Sequence, residues 1–568
     1  MKILSLHVDY INFKPLKKAL KKIGALSEEE MKGKKEGESL VVLTAVEAGD
    51  NVEKSAKELV KNVEDIAGKV KAKNIVLYPY AHLSNSLASP EVAVDVLEKA
   101  EKALKKNYKV TKAPFGYYKE FELKVKGHPL SELSREIKFE EDGEVDSRNL
   151  LRKMEKVKMS TQKPPNGLRS NIELGRDLDL YMVSEIVGGG LPLFTPKGTV
   201  IKRELERFIT DEELKRGYLY TSTPIMASSD LYKISGHWQH YRDSMFVMDV
   251  RGKKFALRPM TCPFQFILYK RKPRSYKELP IKYAEIATLF RNEKSGELRG
   301  LSRVRQFNLA DAHIICRPDQ VEEEFIQVLD LIKYVMKTLG VEKQIWYQFS
   351  KWDPKDKEKY IQNPKAWDES QKMMKRILNK VKLKYVEAKG EAAFYGPKLD
   401  LQYKDVFGKE DTLFTVQIDF ALPERYDMTY LDKDNKHKRP MIIHRSSIGA
   451  TERIIAFLLE SKQGNLPLWL SPVQVKVLGL TKRNKKIAEK IHSRFIEEGI
   501  RSELDTEESP VGGRIRHAEI SKIPYVVLVG DKEQKNKTLA VRSDGKVRFN
   551  VKVDAFVKSL KKEINERK

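Results

Sequence analysis

Cysteine is scarce in this sequence. Cys262 and Cys316 are the only two among 568 residues. A secreted fold held by several disulfides is therefore excluded, and a reducing compartment fits the composition. No apolar run approaches the roughly 18 residues needed to span a bilayer, and Asp9 interrupts the N-terminus before a signal-peptide core can form. These absences predict a cytoplasmic protein with no membrane contact.

Acidic residues are outnumbered. Lys plus Arg total 107 and Asp plus Glu 81, which gives a net charge of +26 and a pI of about 9.5. The excess favours a polyanionic partner, because each phosphate contact releases counterions. A basic proteome explains the charge equally well, since the surplus is spread along the chain. Hydrophobic residues at 40% and charged residues at 33% are typical of a globular protein, and at about 150 residues per domain the length predicts three or four domains.

Four segments differ in pattern. Residues 1–140 alternate strands and helices and predict a separate α/β or α+β domain. Residues 141–176 are charged and aperiodic, so we expect a linker with one helix near Leu150–Val157. Residues 177–465 combine unevenly spaced strands with long helices, which predicts a large mixed sheet. Residues 466–568 return to a βαβ pattern with parallel pairing.

Apolar periodicity predicts individual elements inside these segments. Helices are expected around residues 56–66, 92–104, 200–209, 321–336 and 487–500. Buried strands are expected at Ile3–Val8, Leu40–Val46, Ile75–Tyr78, Met245–Val250, Ile314–Cys316, Thr412–Phe420, Val473–Leu480, Tyr525–Val529 and Leu539–Arg542.

Glycine-rich phosphate loops are also missing. Gly188–Gly190 is a lone glycine run, and no G-x-x-x-x-G-K-[ST] motif is present. A nucleotide would have to be held by side chains, and the planar, always charged guanidinium of arginine suits that task. The segment Phe290–Phe307 carries several arginines between two apolar runs, which predicts two strands joined by a charged loop. Arg291 and Arg303 could then face one ligand, although spacing alone favours a solvated surface hairpin.

A second arginine-bearing stretch, His444–Arg453, leads into the apolar run Ile454–Leu459. Gly449 and Ala450 are small enough for a flat ligand to approach the backbone, and Arg453 follows one turn later. Considered alone, this stretch indicates only the start of a helix.

Together these stretches resemble the signatures of class II aminoacyl-tRNA synthetases. Tyr218–Pro224 is similar to the first signature, Phe290–Phe307 to the second and Gly449–Arg453 to the third. The resemblance is closest to the threonyl-tRNA synthetase family and extends over essentially the whole chain. Further segments that carry it are Ser235–Trp238, Arg258–Pro263, Asp311–His313, Tyr395–Lys398 and Val416–Phe420. It implies a multidomain α/β and α+β protein, in which an antiparallel-sheet catalytic core is flanked by an N-terminal editing domain and a C-terminal α/β anticodon-binding domain.

The resemblance implies a catalytic role for three arginines in an ATP site. Arg291 would hold the α-phosphate and the amino-acid carboxylate, while Arg303 and Arg453 would hold the outer phosphates. Glu293 would face the adenine amino group and Phe307 would stack on the adenine ring. Mg²⁺ bound with ATP would share the neutralisation of charge.

The resemblance also implies one Zn²⁺ per subunit, held by Cys262, His313 and His444. Three protein ligands leave a fourth position open for a reactant. Threonine could fill it with its amino and hydroxyl groups, whereas an apolar pocket would separate threonine from valine by only ~10²-fold. The supporting contacts to threonine would come from Met260, Asp311, Tyr395 and Gln417.

One departure concerns Leu309 and Ala310, which precede Asp311 where bacterial relatives tend to carry polar residues. The outer contacts to threonine are in question there.

Serine offers zinc the same two groups as threonine, and one methyl group is worth only about 1–3 kcal/mol. A correcting site is therefore expected. Tyr78–Ser84, Ala113–Lys119 and Gly127–Glu132 resemble the archaeal type of the family, whose N-terminal domain is similar to D-aminoacyl-tRNA deacylase. The editing residues implied by this resemblance are His82, Tyr118, Lys119 and Glu132. Without the resemblance, a domain that only docks RNA is the simpler interpretation.

The C-terminal segment resembles the anticodon-binding domain of this subclass, with Arg514, Arg516 and Lys522 as candidate RNA contacts or a solvated basic face. The expected partners are tRNA(Thr), ATP and L-threonine, and the family forms homodimers. A prolyl-type synthetase is one rival, which the Cys262, His313 and His444 set disfavours. A non-catalytic RNA-binding relative is another, but such a protein should have lost its phosphate-binding arginines.

Overall fold

Two units divide the chain, Met1–Val145 and Asp146–Lys568. The computed structural model describes residues 1–20, 23–84, 86–137 and 164–568. The helix predicted near Leu150–Val157 lies outside the described residues. At the end of the expected linker, Asn171–Asp177 form a helix capped by Ser170, and its Leu174 is buried in the core of the second unit. The domain boundaries proposed from the sequence remain predictions.

A mixed sheet organises the described part of the first unit. Its strands are Lys2–Lys18, Lys34–Glu36, Ser39–Ala45, Asn74–Pro79, Lys109–Lys112, Tyr117–Val125 and Glu132–Glu136. The long strand Lys2–Lys18 pairs antiparallel with Ser39–Ala45 and Glu132–Glu136 along its first half, and with Tyr117–Val125 along its second half. The helices are Glu28–Met31, Val52–Val70 and Pro90–Leu104.

The two longer helices of this unit pack on one face of its sheet. Val63 and Val96 are fully buried against strand residues such as Val42 and Ile75, as the helical periodicity predicts. Side chains from the opposite face of the strands, including Val41 and Tyr78, form a second cluster. Both faces are apolar because successive strand residues point to opposite sides.

The second unit contains a large sheet whose central pairings are antiparallel, as expected for the catalytic core. In spatial order its strands are Leu219–Tyr220, Ile281–Phe290, Gln306–Cys316, Met441–Ala450, Glu410–Asp419, Lys398–Lys404, Ile345–Lys351 and Tyr385–Lys389. Smaller sheets comprise Met226–Ser228 with Lys253–Leu257 and Val247–Val250, Tyr181–Met182 with Leu193–Phe194, and Tyr430–Leu431 with His437–Lys438. The helices are Asn171–Asp177, Pro196–Lys215, Ser229–Ser235, His237–His240, Cys262–Lys270, Val321–Leu339, Pro364–Lys380, Leu422–Arg425 and Thr451–Lys462.

Strand alternation gives the large sheet one helix-covered face and one face with polar side chains. On Gln306–Cys316, Ala312 and Ile314 belong to the main core, which also contains Phe325 and Ile455 from two helices. Asp311 and His313 alternate with these two residues along the strand and therefore point to the opposite side. The polar side chains therefore lie together on the face opposite this core, where helix Cys262–Lys270 also packs.

The C-terminal part of the second unit is a five-stranded sheet with helices. Its spatial order is Ser502–Asp505, Val475–Gly479, Tyr525–Val529, Thr538–Ser543 and Lys546–Lys552. The helices are Lys485–Glu497, Val511–Ile520, Asp531–Asn536 and Val553–Asn565. The first three strands in this order are parallel and the last two pairings are antiparallel, which confirms the predicted parallel component.

Candidate active site

A cavity of about 810 Å³ opens on the polar face of the large sheet. Its volume lies within the range of small-molecule sites. Every residue proposed from the sequence for ATP, threonine and metal lines this one cavity. These residues are Met260, Cys262, Arg291, Glu293, Arg303, Phe307, Asp311, His313, Tyr395, Gln417, His444 and Arg453. Residues up to 453 − 260 = 193 positions apart are thus brought together by the fold.

Strand register aligns four of the polar side chains across the sheet. His313 is the cross-strand partner of His444, His444 of Gln417, and Gln417 of Lys398. Directly opposite residues on antiparallel strands have Cβ atoms about 4.5–5.5 Å apart and share a face. Sequence spacing could not have identified this row, because it depends on the order in which distant strands pair.

The thiol of Cys262 and the imidazoles of His313 and His444 form a compact, buried group. One ligand atom from each lies within 4.8 Å of the other two. The two imidazole rings are nearly perpendicular, with centroids 4.6 Å apart. Cys262 is the first residue of helix Cys262–Lys270, while the histidines come from adjacent strands. One thiol and two imidazoles are a donor set that suits Zn²⁺.

Protonation states are consistent with a metal site. Burial lowers the pKa of His313 well below its usual value, which favours the neutral imidazole that binds metals. Burial also raises the pKa of Cys262 well above that of a free thiol. The thiolate therefore needs a cation beside it, and a metal ion would meet that need.

Two further side chains orient the imidazoles. The side-chain carbonyl of Gln265 accepts a hydrogen bond from Nδ1 of His313 at 2.6 Å, which leaves Nε2 free. The carboxylate of Asp419 accepts from Nε2 of His444 at 2.8 Å, which leaves Nδ1 free. Both acceptors are fully buried. Such contacts fix the tautomer of a metal-binding histidine.

Tyr395, Gln417, Asp311 and Met260 surround the metal-binding group. The Tyr395 hydroxyl donates to the Gln417 side-chain carbonyl, and the Tyr395 ring stacks on His444 with centroids 4.7 Å apart. Burial raises the pKa of Asp311 to about 6. The sulfur of Met260 lies 2.8 Å from Nε2 of the buried His237. These groups form a small polar compartment at one end of the cavity.

The arginine hairpin forms as predicted. Ile281–Phe290 and Gln306–Cys316 pair antiparallel, with Leu289 opposite Phe307. The guanidinium of Arg291 lies 5.1 Å from the centre of the Phe307 ring, and its buried Nε has no hydrogen-bond partner among the described residues. Arg303, expected to hold an outer phosphate, instead forms an ion pair with the Glu293 carboxylate at 2.8 Å.

The third arginine is positioned by backbone carbonyls. Arg453 donates to Thr412 O at 2.6 Å and to Ser302 O at 3.1 Å. It follows the strand Met441–Ala450 on helix Thr451–Lys462, so the predicted helix begins at Thr451. Asp411 also lies 3.4 Å from its guanidinium.

The departure noted at Leu309 and Ala310 has a structural outcome. Leu309 lines the cavity, whereas Ala310 lies in the main core on the other face of the strand. Only position 309 therefore affects the cavity surface directly, and it contributes an apolar side chain.

Two residues of the site were not identified from the sequence. Lys398 lines the cavity and contacts the buried carboxylate of Asp400 at 3.0 Å. It ends the Tyr395–Lys398 run, of which only the tyrosine was assigned a role. Gln265 follows Cys262 by three residues and so shares its helix face. The sequence feature that could have identified Gln265 is its position as the lone polar residue in the apolar run Phe264–Leu268.

Comparison with known proteins identifies the domains. Residues 1–137 match the Archaea-specific editing domain of threonyl-tRNA synthetase. Residues 246–462 match the tRNA synthetase class II core domain (G, H, P, S and T), and residues 474–563 match the anticodon binding domain.

Relatives agree with the domain matches. The threonine–tRNA ligase of Clostridium botulinum (strain Eklund 17B / Type B) is 54% identical over 404 residues, which is 70% of this chain and 62% of that relative. The RNA binding domain of threonyl-tRNA synthetase from Cryptosporidium parvum Iowa II is 32% identical, has a TM-score of 0.66, and covers 70% of this chain and 98% of its own. The chain belongs to the threonyl-tRNA synthetase family. A putative threonyl-tRNA synthetase, ThrRS-1, from Aeropyrum pernix is also similar, at 28% identity and a TM-score of 0.63 over 70% of this chain and 97% of its own.

Membership in the threonyl-tRNA synthetase family establishes the three-domain architecture expected from the sequence, with an editing domain, a class II core and an anticodon-binding domain. The chain spans only 62% of the length of the Clostridium relative. None of its described helices is long and apolar enough to cross a membrane.

The editing candidates of this family member do not all lie together. Tyr118 and Lys119 are adjacent on Tyr117–Val125, and the Lys119 ammonium lies 5.0 Å from the centre of the Tyr78 ring. His82 contacts Tyr80 at 5.4 Å between ring centroids, and Tyr80 contacts Tyr78. His82 is therefore linked to Lys119 through the rings of Tyr80 and Tyr78, whereas the exposed side chain of Tyr118 points to the opposite face of the strand.

Glu132 lies apart from that group. It is paired with Leu6, whereas Lys119 is paired with Pro15. The two positions are 15 − 6 = 9 residues apart on one strand, which is roughly 30 Å at about 3.3 Å per residue. Glu132 therefore does not share a site with Lys119 within this chain.

Lys119 is the candidate whose environment is most unusual. Its ammonium donates to Pro114 O at 2.8 Å and Tyr117 O at 3.2 Å. Burial lowers its pKa to about 8. A lysine with a shifted pKa beside aromatic rings is typical of a functional site.

The expectation that Arg514 of the anticodon-binding domain is an exposed RNA contact is wrong. Its side chain is buried and donates to the Asp505 carboxylate and to Gly479 O, both at 2.9 Å. It is therefore a structural residue and not an exposed RNA contact. Arg516 is exposed, as an RNA contact requires.

Proposed function

We propose that the chain is a threonine–tRNA ligase. It uses ATP to activate L-threonine as threonyl-adenylate, transfers the threonyl group to tRNA(Thr), and hydrolyses seryl-tRNA(Thr) at its N-terminal domain. The observation that carries the proposal is the single cavity that holds both the Cys262, His313 and His444 group and the three arginines.

Activation is an in-line attack of the threonine carboxylate on the α-phosphate of ATP. The nucleophile is already an anion, so the chain needs no dedicated base and acts mainly by positioning and charge neutralisation. Arg291 is suited to the α-phosphate and carboxylate because its Nε has a free donor, and Phe307 beside it offers a ring for adenine. The backbone carbonyls of Ser302 and Thr412 hold the Arg453 side chain in place, and it could bind the outer phosphates. Mg²⁺ would accompany the nucleotide.

Arg303 must change partners for this scheme to operate. Its guanidinium contacts Glu293, and Glu293 is the residue proposed to face the adenine amino group. Nucleotide binding would exchange this ion pair for phosphate and adenine contacts. The exchange costs little, because a partly exposed ion pair is worth about 0–1 kcal/mol.

Selection of threonine would rest on the polar end of the cavity. Cys262, His313 and His444 would hold one Zn²⁺, whose open position would accept the amino and hydroxyl groups of threonine and so disfavour valine. Asp311, Tyr395 and Gln417 would contact the amino acid from the surrounding walls, with Met260 packed beside them.

The substrate assignment is tested by ATP–pyrophosphate exchange with all twenty amino acids. We expect strong exchange with threonine, weaker exchange with serine and almost none with valine. Exchange led by proline or histidine would refute the assignment.

Removal of serine is assigned to the first unit, with Lys119 and His82 near the reacting ester and Lys119 stabilising charge on the attacked carbonyl; Tyr118 would support this group from the opposite face of the strand. The match to an editing domain supports this assignment. Glu132 can take part only if it acts from another copy or in another arrangement, because it lies far along the strand from Lys119.

Hydrolysis of preformed seryl-tRNA by Lys119→Ala tests the editing site. We expect deacylation to be lost while threonine-dependent pyrophosphate exchange is unchanged. Lys124→Ala, on the same strand, is the matched control and should clear serine normally. Rapid clearance by Lys119→Ala would mean that the editing site lies elsewhere.

We also propose that the protein acts in the cytoplasm as a homodimer. Leu219 within the first signature, and Ile225 and Met226 directly after it, are about half exposed and would be covered in a dimer. Light scattering on the purified chain should give twice the monomer mass of 65.6 kDa, and a monomer at micromolar concentration would contradict the dimer.

A further inference from the structure

Phe549 is the most exposed large hydrophobic side chain among the described residues, at 68%. It lies on Lys546–Lys552, which is an edge strand of the five-stranded C-terminal sheet. Single exposed apolar side chains are common on protein surfaces, so the significance of Phe549 depends on the backbone and the charges around it.

A β-bulge sets the direction of Phe549. Val541 pairs with Arg548, and Leu539 pairs with Val551, so Phe549 and Asn550 together oppose the single residue Ala540. Asn550 has a left-handed backbone, with φ of 56°. A non-glycine residue in that conformation costs stability, and bulges commonly re-aim a side chain beside a functional site.

The strand that carries Phe549 is basic. Lys546, Arg548 and Lys552 are exposed, and Lys546–Lys552 contains no acidic residue. None of the three appears in an ion pair with any described residue. Basic residues also protect edge strands from aggregation, but that role does not explain an exposed phenylalanine between them.

The surrounding face carries Arg542, whose guanidinium is paired with the Glu519 carboxylate at 2.7 Å. Arg542 and Val547 are cross-strand partners, and alternation places Phe549 on their side of the sheet. Helix Val511–Ile520 covers part of this side, because Ala518 packs against Leu478 and Val526. The exposed Arg516 belongs to that helix.

We infer that Phe549 is a stacking platform for an unpaired base of the tRNA anticodon loop. Every base offers a flat face to an aromatic ring, and basic neighbours can hold the adjoining phosphates. The match of residues 474–563 to an anticodon binding domain places this strand in the part of the chain expected to meet that loop. The inference rests on the proposed function, since it takes tRNA as the substrate.

Binding of a tRNA(Thr) transcript to the full chain tests the platform by fluorescence anisotropy. Phe549→Ala should weaken binding by about 5- to 100-fold, the range expected for one lost base stack. Phe549→Leu should weaken it similarly, because it keeps apolar bulk without the ring, whereas Phe549→Trp should bind like the parent.

Ile496→Ala is the matched control, because Ile496 is exposed in the same domain but lies on helix Lys485–Glu497, away from both the basic strand and helix Val511–Ile520. It should leave tRNA binding unchanged. Threonine-dependent pyrophosphate exchange should also be unchanged in every variant, since the activation cavity is lined by other residues.

Equal affinity of the parent and Phe549→Ala for the transcript would overturn the inference. So would a change of oligomeric state in Phe549→Ala without a change in RNA affinity, since Phe549 would then contact a second copy of the chain. A parent that binds the transcript but fails to charge it would instead refute the proposed function, and the binding comparison would still decide the role of Phe549.

Discussion

At the scale of single residues, the proposed metal site depends on side chains outside the group of Cys262, His313 and His444. Gln265 is fully buried and spans two partners: its carbonyl accepts from Nδ1 of His313, and its amide donates to Thr221 at 2.8 Å. It therefore selects the tautomer that leaves Nε2 of His313 free to bind an ion.

Gln265→Leu should lower zinc affinity about 10- to 100-fold, because His313 would lose the acceptor that fixes its tautomer. Gln265→Glu retains an acceptor and should stay close to the parent. Competition with a chromophoric chelator measures both, and equal affinity of Gln265→Leu and the parent would show that the contact is only structural.

Lys119 provides a pH-dependent prediction. Burial lowers its pKa to about 8 from the ordinary 10.5, so the ammonium form is lost as pH rises through about 8. If the charged form stabilises the reacting carbonyl, seryl-tRNA deacylation should decline above that pH. Lys119→Arg keeps its charge and should show no such decline, after subtraction of the Lys119→Ala background.

A deacylation rate that rises through pH 8 in the parent would show that the neutral amine is the active form. Folding stability should move in the opposite direction to activity. Between about pH 8 and 10.5 the unfolded chain binds a proton at Lys119 that the folded chain does not, so this residue's contribution to stability increases with pH.

At the scale of elements, sequence patterns predicted the apolar strands and helices better than the polar ones. Leu40–Val46, Tyr525–Val529 and helix Val321–Met336 are apolar enough to identify their elements and are confirmed by the structure. Tyr117–Val125 and Glu132–Glu136 were missed, because charged residues alternate along them on an exposed side of the sheet.

The candidate site was also only partly predictable from local sequence patterns. Residue types and a family resemblance selected the cavity-lining residues, but their alignment depends on which strands are neighbours. The row from His313 to Lys398 crosses four strands, of which only Lys398–Lys404 and Glu410–Asp419 are consecutive in the chain. No local pattern encodes the order of the others, and Lys398 was overlooked although the run containing it was noticed.

Gly449 lies where strand Met441–Ala450 packs closely against the neighbouring strand. Its φ is +69°, and a Cβ there would lie 2.2 Å from Leu413 O on the neighbouring strand. Gly449→Ala should therefore lose about 1–3 kcal/mol from the backbone conformation and more from the overlap, and the KM for ATP should increase.

Gly499→Ala is the control for Gly449→Ala, since Gly499 has a φ of +77° but no atom within 4 Å of an added Cβ. Denaturant titration of both variants separates the two costs. Equal destabilisation would show that the strands can move apart without loss.

At the scale of the whole molecule, the proposed function divides two chemical tasks between two units. The residues proposed for activation line a cavity in Asp146–Lys568, while Lys119, proposed for editing, lies with its aromatic neighbours in Met1–Val145. This division follows from a physical limit: a metal that recognises a hydroxyl rejects valine but cannot reject serine, which differs from threonine by one methyl group.

The zinc site proposed for the thiol and two imidazoles, and its selection of threonine, can be examined by measuring zinc content together with threonine-dependent pyrophosphate exchange in Cys262→Ala and Cys316→Ala. Both cysteines are buried, but of the two only Cys262 belongs to the group that could hold a metal ion. We expect about one zinc per chain and normal exchange in Cys316→Ala, and loss of both in Cys262→Ala. A Cys262→Ala protein that retains zinc, or that activates threonine without it, would refute the zinc site.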